Sequence, residues 1–302
     1  MGLYLICTSP RTGGSVFSST LAQTGLLGTP GSYIYTYPAN EVLNKLNRDE
    51  FEKYLKTVLE RLHQEQHITK KYSNDLYWLY ETNIFQSLGS PIERLRFFYD
   101  HLKASNMFES LENIRTSPFG GENWGIKILS NDNNYDGGFN FLIRHLKNTA
   151  HNANKKSTLQ LLQEVCVDIK FIWLIRRNKV RQGLSYWKAD HTKKWHQYQK
   201  EAPKEKVKNF LPTKKELNKY VIQLALDDAH WEEFFTKNQI IPLTIVYEDF
   251  ILNPDQTIKD VLNYLGIKPT KNTYFNSFSE FKMACDDSND FINNYYKTSF
   301  FW

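Results

Sequence analysis

Short apolar runs, each closed by a turn and followed by a helix-spaced pattern, organise this chain. Leu3, Tyr4, Leu5, Ile6 and Cys7 are apolar without alternation and stop at Thr8-Ser9-Pro10. That is the pattern of a strand buried on both faces. A helical stretch follows through Val16, Leu21 and Ala22 to a stop at Gly25. Residues 125–129 read as the next buried strand, 131–139 as an Asn-, Asp- and Gly-rich loop, and a helical region follows to Val165. Residues 168–175 form the strongest strand pattern and run into Arg176-Arg177-Asn178 and a helix over about 180–189. A long helix at roughly 215–237 carries Trp231, Phe234 and Phe235, and 242–247 is another strand. Asn253 then caps a helix with Pro254 at its first position, Ile258, Val261, Leu262 and Leu265 on one face, and Gly266 at its end.

Residues 40–120 are polar and helix-spaced, with helices expected at 41–46, 51–67 and 91–103; 192–215 is a lysine-rich connection. No repeat or linker divides the chain, so it reads as a single domain, 1–302, with a helical insertion at about 40–120. Strands alternating with helices predict an α/β fold, a central mostly parallel sheet flanked by helices.

Composition narrows the classes. At 41% hydrophobic and 24% charged, the 302 residues match a globular protein and exclude wholesale disorder. Cys7, Cys166 and Cys285 are scattered and odd in number, which argues against a disulfide framework and suits a reducing compartment. The net charge of +5 is interleaved along the chain, which fits an anionic small ligand and not a nucleic-acid partner. No apolar run reaches the roughly 18 residues of a membrane span. The opening residues lack a basic segment and a long apolar core, so no signal peptide is expected and the expected location is cytoplasmic.

Two strand ends carry candidate chemistry, and in open α/β sheets ligands bind there. The first offers Arg11, Thr12, Gly13, Gly14 and Ser15: glycines for close backbone approach, a helix start with free N–H groups, a hydroxyl and a fixed positive charge. It lacks the lysine of a Walker loop, which disfavours a P-loop kinase, and it lacks G-x-G-x-x-G. The second offers Arg176 or Arg177, with Ser185 eight residues after Arg177 on the next helix. Taken alone, each is equally an ordinary turn with a solvated arginine. His63 and His67 stand at i and i+4 but without the H-E-x-x-H order, and Asp286, Asp287 and Asp290 lack the pattern of a calcium loop, so no metal site is expected.

Together the two ends resemble the sulfotransferase superfamily. There a strand–loop–helix binds the 5′-phosphosulfate of 3′-phosphoadenosine 5′-phosphosulfate (PAPS), and an arginine with a serine eight residues on holds the 3′-phosphate. Thr24-Gly25-Leu26-Leu27-Gly28-Thr29-Pro30, Trp124-Gly125-Ile126-Lys127, Gln182, Ser185-Tyr186-Trp187 and Tyr247-Glu248-Asp249-Phe250 are similar to the bacterial trehalose 2-sulfotransferase and NodH-like branch. The resemblance implies a P-loop-like sulfotransferase fold and transfer from PAPS, without a metal, to a hydroxyl of a carbohydrate, glycolipid or other small molecule. It places Arg11, Thr12, Gly13, Gly14 and Ser15 on the phosphosulfate, Arg177 and Ser185 on the 3′-phosphate (Arg176 the fallback), and Lys127 toward the acceptor; a homodimer is compatible with it. Ser32 stands where those relatives carry a general-base glutamate. Either Glu41, Asp190 or His191 replaces that base, or the acceptor needs none, or the chain binds PAPS without turnover as an interaction protein.

Overall fold

The computed structural model describes residues 2–31, 104, 106–117, 120–130, 138–192, 211–268 and 289–299, with isolated positions at 47, 49, 50 and 53. Strand β1 (Gly2–Thr8) lies inside a parallel four-stranded sheet ordered β2 (Asn123–Leu129), β1, β3 (Ile169–Ile175), β4 (Leu243–Val246). The α/β class expected from the sequence is the class observed.

Alternation along β1 serves two cores. Leu3, Leu5 and Cys7 face one with Ile126, Ile128, Phe171 and Trp231; Tyr4 and Ile6 face the other with Ile172 and Leu174. A strand buried on both faces needs apolar residues at both parities, which is why it reads as a continuous run. Helix α1 (Gly14–Gln23) covers the second face through Phe17 and Leu21. The first face is covered by α2 (Met107–Thr116), α3 (Gly138–Thr149) and α4 (Thr158–Val165). After β3 come α5 (Lys179–Thr192) and, across from it, α6 (Lys214–Lys237), whose Trp231, Phe234 and Phe235 also enter the first core. Two helices follow β4, the short α7 (Tyr247–Leu252) and α8 (Pro254–Leu265), and α9 (Asn289–Ser299) packs Ile292 against α5 and α6.

Three expectations change in detail. The last strand stops at Val246, and Tyr247 opens α7, a helix the alternation did not reveal. Gly138 already belongs to α3, so the loop expected over 131–139 ends earlier. Asn253 occupies the cap position before Pro254, but its side chain makes no capping hydrogen bond. Gly266 ends α8 at φ 72°, as its position implied. The helices expected at 41–46, 51–67 and 91–103, and the lysine-rich connection apart from its ends, fall largely outside the described residues; Cys285, His63, His67, Asp286 and Asp287 lie wholly outside them.

The order β2-β1-β3-β4 sends the chain leaving β1 toward one edge and the chain leaving β3 toward the other. A crevice therefore opens beyond the carboxyl ends of β1 and β3, where such sheets hold ligands. Trp231 secures this end. It is 1% exposed, stacks on Phe235, and its Nε1 donates to the Thr8 carbonyl at 3.0 Å. Trp231→Ala is expected to cost about 3–5 kcal/mol of stability, read from denaturant unfolding.

Candidate functional site

The segment from Ser9 to Ser15 leaves β1 at the crevice. Its backbone is tightly wound: Arg11 has φ 61° and Gly13 φ 93°. The left-handed value at Arg11 is uncommon for a residue with a side chain and marks a conformation imposed from outside. Gly13 is required twice over, because a Cβ there would also lie 2.4 Å from the Tyr247 ring. From this turn α1 begins with Gly13 at its cap position, no side-chain cap and no acidic residue in its first turn. Its first N–H groups and the positive end of its dipole are left open to an anion.

Lys127 lies across from them. β2 pairs in register with β1, Lys127 opposite Ile6, so its side chain shares the face covered by α1. Its Nζ donates to Ser15 Oγ at 3.2 Å. Desolvation brings its pKa down to about 8, and among the described residues no carboxylate pairs with it. The parallel register sets the Lys127 ammonium, expected from the sequence to face the acceptor, beside the first turn of α1.

The second strand end closes over the loop. Arg11 Nε donates to Ser185 Oγ at 3.0 Å, and Arg176 donates to the Arg11 carbonyl at 3.1 Å while stacking 4.8 Å from the Tyr247 ring centroid. Arg177 and Ser185, expected on one phosphate, have different partners here. Arg177 is 63% exposed and paired with Asp249 at 2.9 Å, whereas Ser185 accepts from Arg11.

The start of α5 is closed, unlike that of α1. Glu248 accepts from the backbone N–H of Arg177 and of Asn178, both at 3.0 Å. Burial pushes its pKa up, but those N–H groups win and hold it below the usual carboxylate value. Tyr247 and Glu248 stand in the sequence as a motif without a role; the structure has the ring walling the loop and the carboxylate holding the two N–H groups just before α5, while Asn178 Oδ1 caps α5 by accepting from the Arg181 N–H at 2.9 Å. Gln182, likewise without a role there, is buried against the loop.

Ser32 and Glu41 lie outside the described residues. Asp190 accepts from the Tyr220 hydroxyl at 2.7 Å, and His191 Nδ1 meets the Trp187 carbonyl at 2.9 Å. Asp190 is five residues beyond Ser185, about 7.5 Å further along α5. A carboxylate the sequence reading passed over, Asp227 on α6, is 1% exposed beside Ser130 at the end of β2. Among the described residues no cluster of His, Cys, Asp and Glu could hold a metal, and no helix is long and apolar enough to cross a membrane.

A parallel sheet with an uncapped helix start at its switch point is an open α/β fold of the kind that holds ligands beyond its strand ends. Residues 112–298 match the Stf0 sulphotransferase family, and the chain belongs to that family: it is a sulfotransferase. The matched span holds Lys127, Arg176, Arg177, Gln182, Ser185 and Glu248; the loop at 9–15 precedes it. Among solved structures, the chain is similar to the sulfotransferase domain from the Synechococcus PCC 7002 olefin synthase (11% identity, TM-score 0.37, 91% of this chain and 77% of that one). It is also similar to a sulfotransferase from Alicyclobacillus acidocaldarius (12%, 0.39, 97% and 91%) and to the sulfotransferase domain from the curacin biosynthetic pathway (14%, 0.38, 90% and 76%). No curated protein matches the chain.

Asp227 yields a pH test. Burial raises its pKa from 3.8 to about 6, the Asp228 charge adds to this, and a hydrogen bond from Gln223 opposes it. A carboxyl whose folded pKa is raised contributes stability below its unfolded value that is lost as pH rises through the folded one. Asp227→Asn is therefore expected to be more stable than wild type at pH 7, on the order of 1–3 kcal/mol, with the difference fading toward pH 4. Melting temperatures of both proteins across pH 4–8 check this.

Proposed function

We propose that this sulfotransferase moves a sulfuryl group from PAPS to a hydroxyl of a carbohydrate, glycolipid or other small-molecule acceptor. The observation that carries the reading is the pairing of an uncapped helix start with a desolvated lysine that has no carboxylate partner among the described residues. Burying a cation beside open N–H groups is costly unless an anion joins them. The residues present fit a phosphosulfate. PAPS would supply the sulfuryl group and the adenosine 3′,5′-bisphosphate (PAP) leaving group.

In this reading the N–H groups of Gly13, Gly14 and Ser15, with the hydroxyls of Thr12 and Ser15, orient the 5′ end. Arg11 and Lys127 neutralise charge that grows on the bridging oxygen as its bond to sulfur breaks and the acceptor oxygen bonds to sulfur. Such fixed donors act without reorganising at the moment of reaction. The 3′-phosphate falls to Arg177 and Ser185. Arg176 is committed to the loop, whereas the Arg177–Asp249 pair is exposed, and exposed pairs are worth only about 0–1 kcal/mol, so Arg177 is free to exchange Asp249 for a phosphate. Glu248 holds the N–H groups of Arg177 and Asn178 ahead of α5, and Asn178 caps its first turn, so this phosphate is held by side chains alone.

Ser32 supports a second reading, a PAPS- or PAP-binding protein without turnover, because a serine hydroxyl is no base by itself. Sulfated product in a broad acceptor screen with labelled PAPS decides for transfer; binding with no product from any acceptor decides for the second reading.

The nucleotide site is tested by thermal unfolding with PAP and with ADP. At 100 times its Kd a native-state ligand adds about 2.7 kcal/mol, or several degrees in Tm. A shift with PAP and little with ADP is expected; none with either rejects the site. Arg11→Ala is expected to lower transfer at least about 10³-fold, by comparison with arginine fingers. Lys127 loses its charge as pH rises through about 8, so PAP affinity is expected to fall above that pH in wild type and to be weaker but flatter in Lys127→Met. Calorimetric titrations at pH 6.5–9.5 measure both.

A further inference from the structure

We infer that Gln182 is the positioning residue of the anion loop and that Lys179 and Asp228 set it in turn; this rests on the reading of residues 9–15 as the donor site. Gln182 is 0% exposed, one turn into α5. Its Nε2 lies 2.7 Å from the Pro10 carbonyl, 2.9 Å from Thr12 Oγ1 and 3.0 Å from Ser9 Oγ. An amide nitrogen carries two N–H groups, so the carbonyl takes one and the two hydroxyls share the other. Thr12 Oγ1 donates in turn to the Ser9 carbonyl at 2.7 Å.

The orientation of this amide is decided from behind. Its Oε1 accepts from Lys179 Nζ at 3.0 Å, and an ammonium has no acceptor, so only the oxygen fits on that side. Lys179 is held by Asp228 of α6, both side chains largely buried. A polar line thus runs from α6 through Lys179 and Gln182 to the loop.

The loop needs such a hold at one residue. Arg11 carries the left-handed backbone at φ 61°, a conformation that a residue with a side chain keeps only when its surroundings hold it. Gln182 binds the carbonyl just before it, Arg176 binds its own carbonyl, and Ser185 receives its side chain. Gln182 is the member that also ties Ser9 and Thr12, so it fixes the whole turn from which α1 starts. A buried glutamine serving only its own hydrogen bonds would not need its donors spread over three successive features of one ligand loop.

The test is Gln182→Met, which keeps length and volume and removes both donors. PAP reaches the loop through its 5′-phosphate; adenosine 3′-monophosphate has none. The expected result is at least a tenfold loss of affinity for PAP with little change for adenosine 3′-monophosphate, and a raised KM for PAPS together with a lowered kcat. Lys179→Met, which frees the amide to flip, is expected to show a smaller loss of the same selectivity. Equal losses for both ligands, or none for either, would overturn the inference, whatever the change in Tm. If wild type binds neither ligand, the donor-site reading fails while this inference is still decided by amide hydrogen exchange. Faster exchange at residues 11–17 in Gln182→Met than in wild type, with the β3 amides unchanged, supports the hold, and equal exchange overturns it.

Discussion

The contact on which the rest of the site depends is the one between the backbone around Arg11 and the residues that follow β3. A left-handed arginine does not stay in that conformation by its own preference. It is held by Arg176, Gln182 and Ser185, which lie 165 to 174 positions away in sequence. The site is therefore a property of the finished sheet. β1 and β3 must pair before the loop that follows β1 has its shape, and the open start of α1 follows from that shape. This is why the loop pattern alone, without its distant supports, was weak evidence of a ligand.

Much of the sheet was legible in the sequence for a simple reason. β1 is buried on both faces and must be apolar at both parities, so Leu3 to Cys7 stand out as a run; β3 has its run after Lys170, and β2 shows Trp124, Ile126 and Ile128 at one parity with Lys127 among them. The helix at 254–265 was legible because Pro254 and Gly266 mark its ends. Tyr247 was read as strand because it is aromatic and follows one; it opens α7, whose Glu248 reaches the N–H groups before α5, a tertiary contact with no local signature. For Lys127 the sequence showed a strand end and no neighbours. Its place on the α1 face depends on the register between β1 and β2, and register is not written in either strand separately.

Family membership and loop geometry support the proposed chemistry from separate stretches of chain. The family match begins after the loop and covers the residues that brace it. The loop contributes the uncapped helix start, which no sequence match reports. The two halves meet at hydrogen bonds between Arg11 and Ser185 and between Lys127 and Ser15. Near this site Arg177 and Lys179 have carboxylate partners, whereas among the described residues none pairs with Lys127.

The two helix starts at the crevice divide the work by charge. In the proposed function α1, open and with a desolvated lysine beside it, attracts an anion and provides N–H groups to orient it. The turn before α5 has its own anion, Glu248, on two N–H groups, and Asn178 caps the helix. Had both starts been open, a ligand with phosphates at each end could bind in either direction. With the α5 start capped, the proposed donor has its backbone-lined site at α1, and its other end falls to Arg177 and Ser185. On the proposed reading, Glu248 thereby fixes the direction in which the donor lies across the sheet, although it need never touch the reacting atoms.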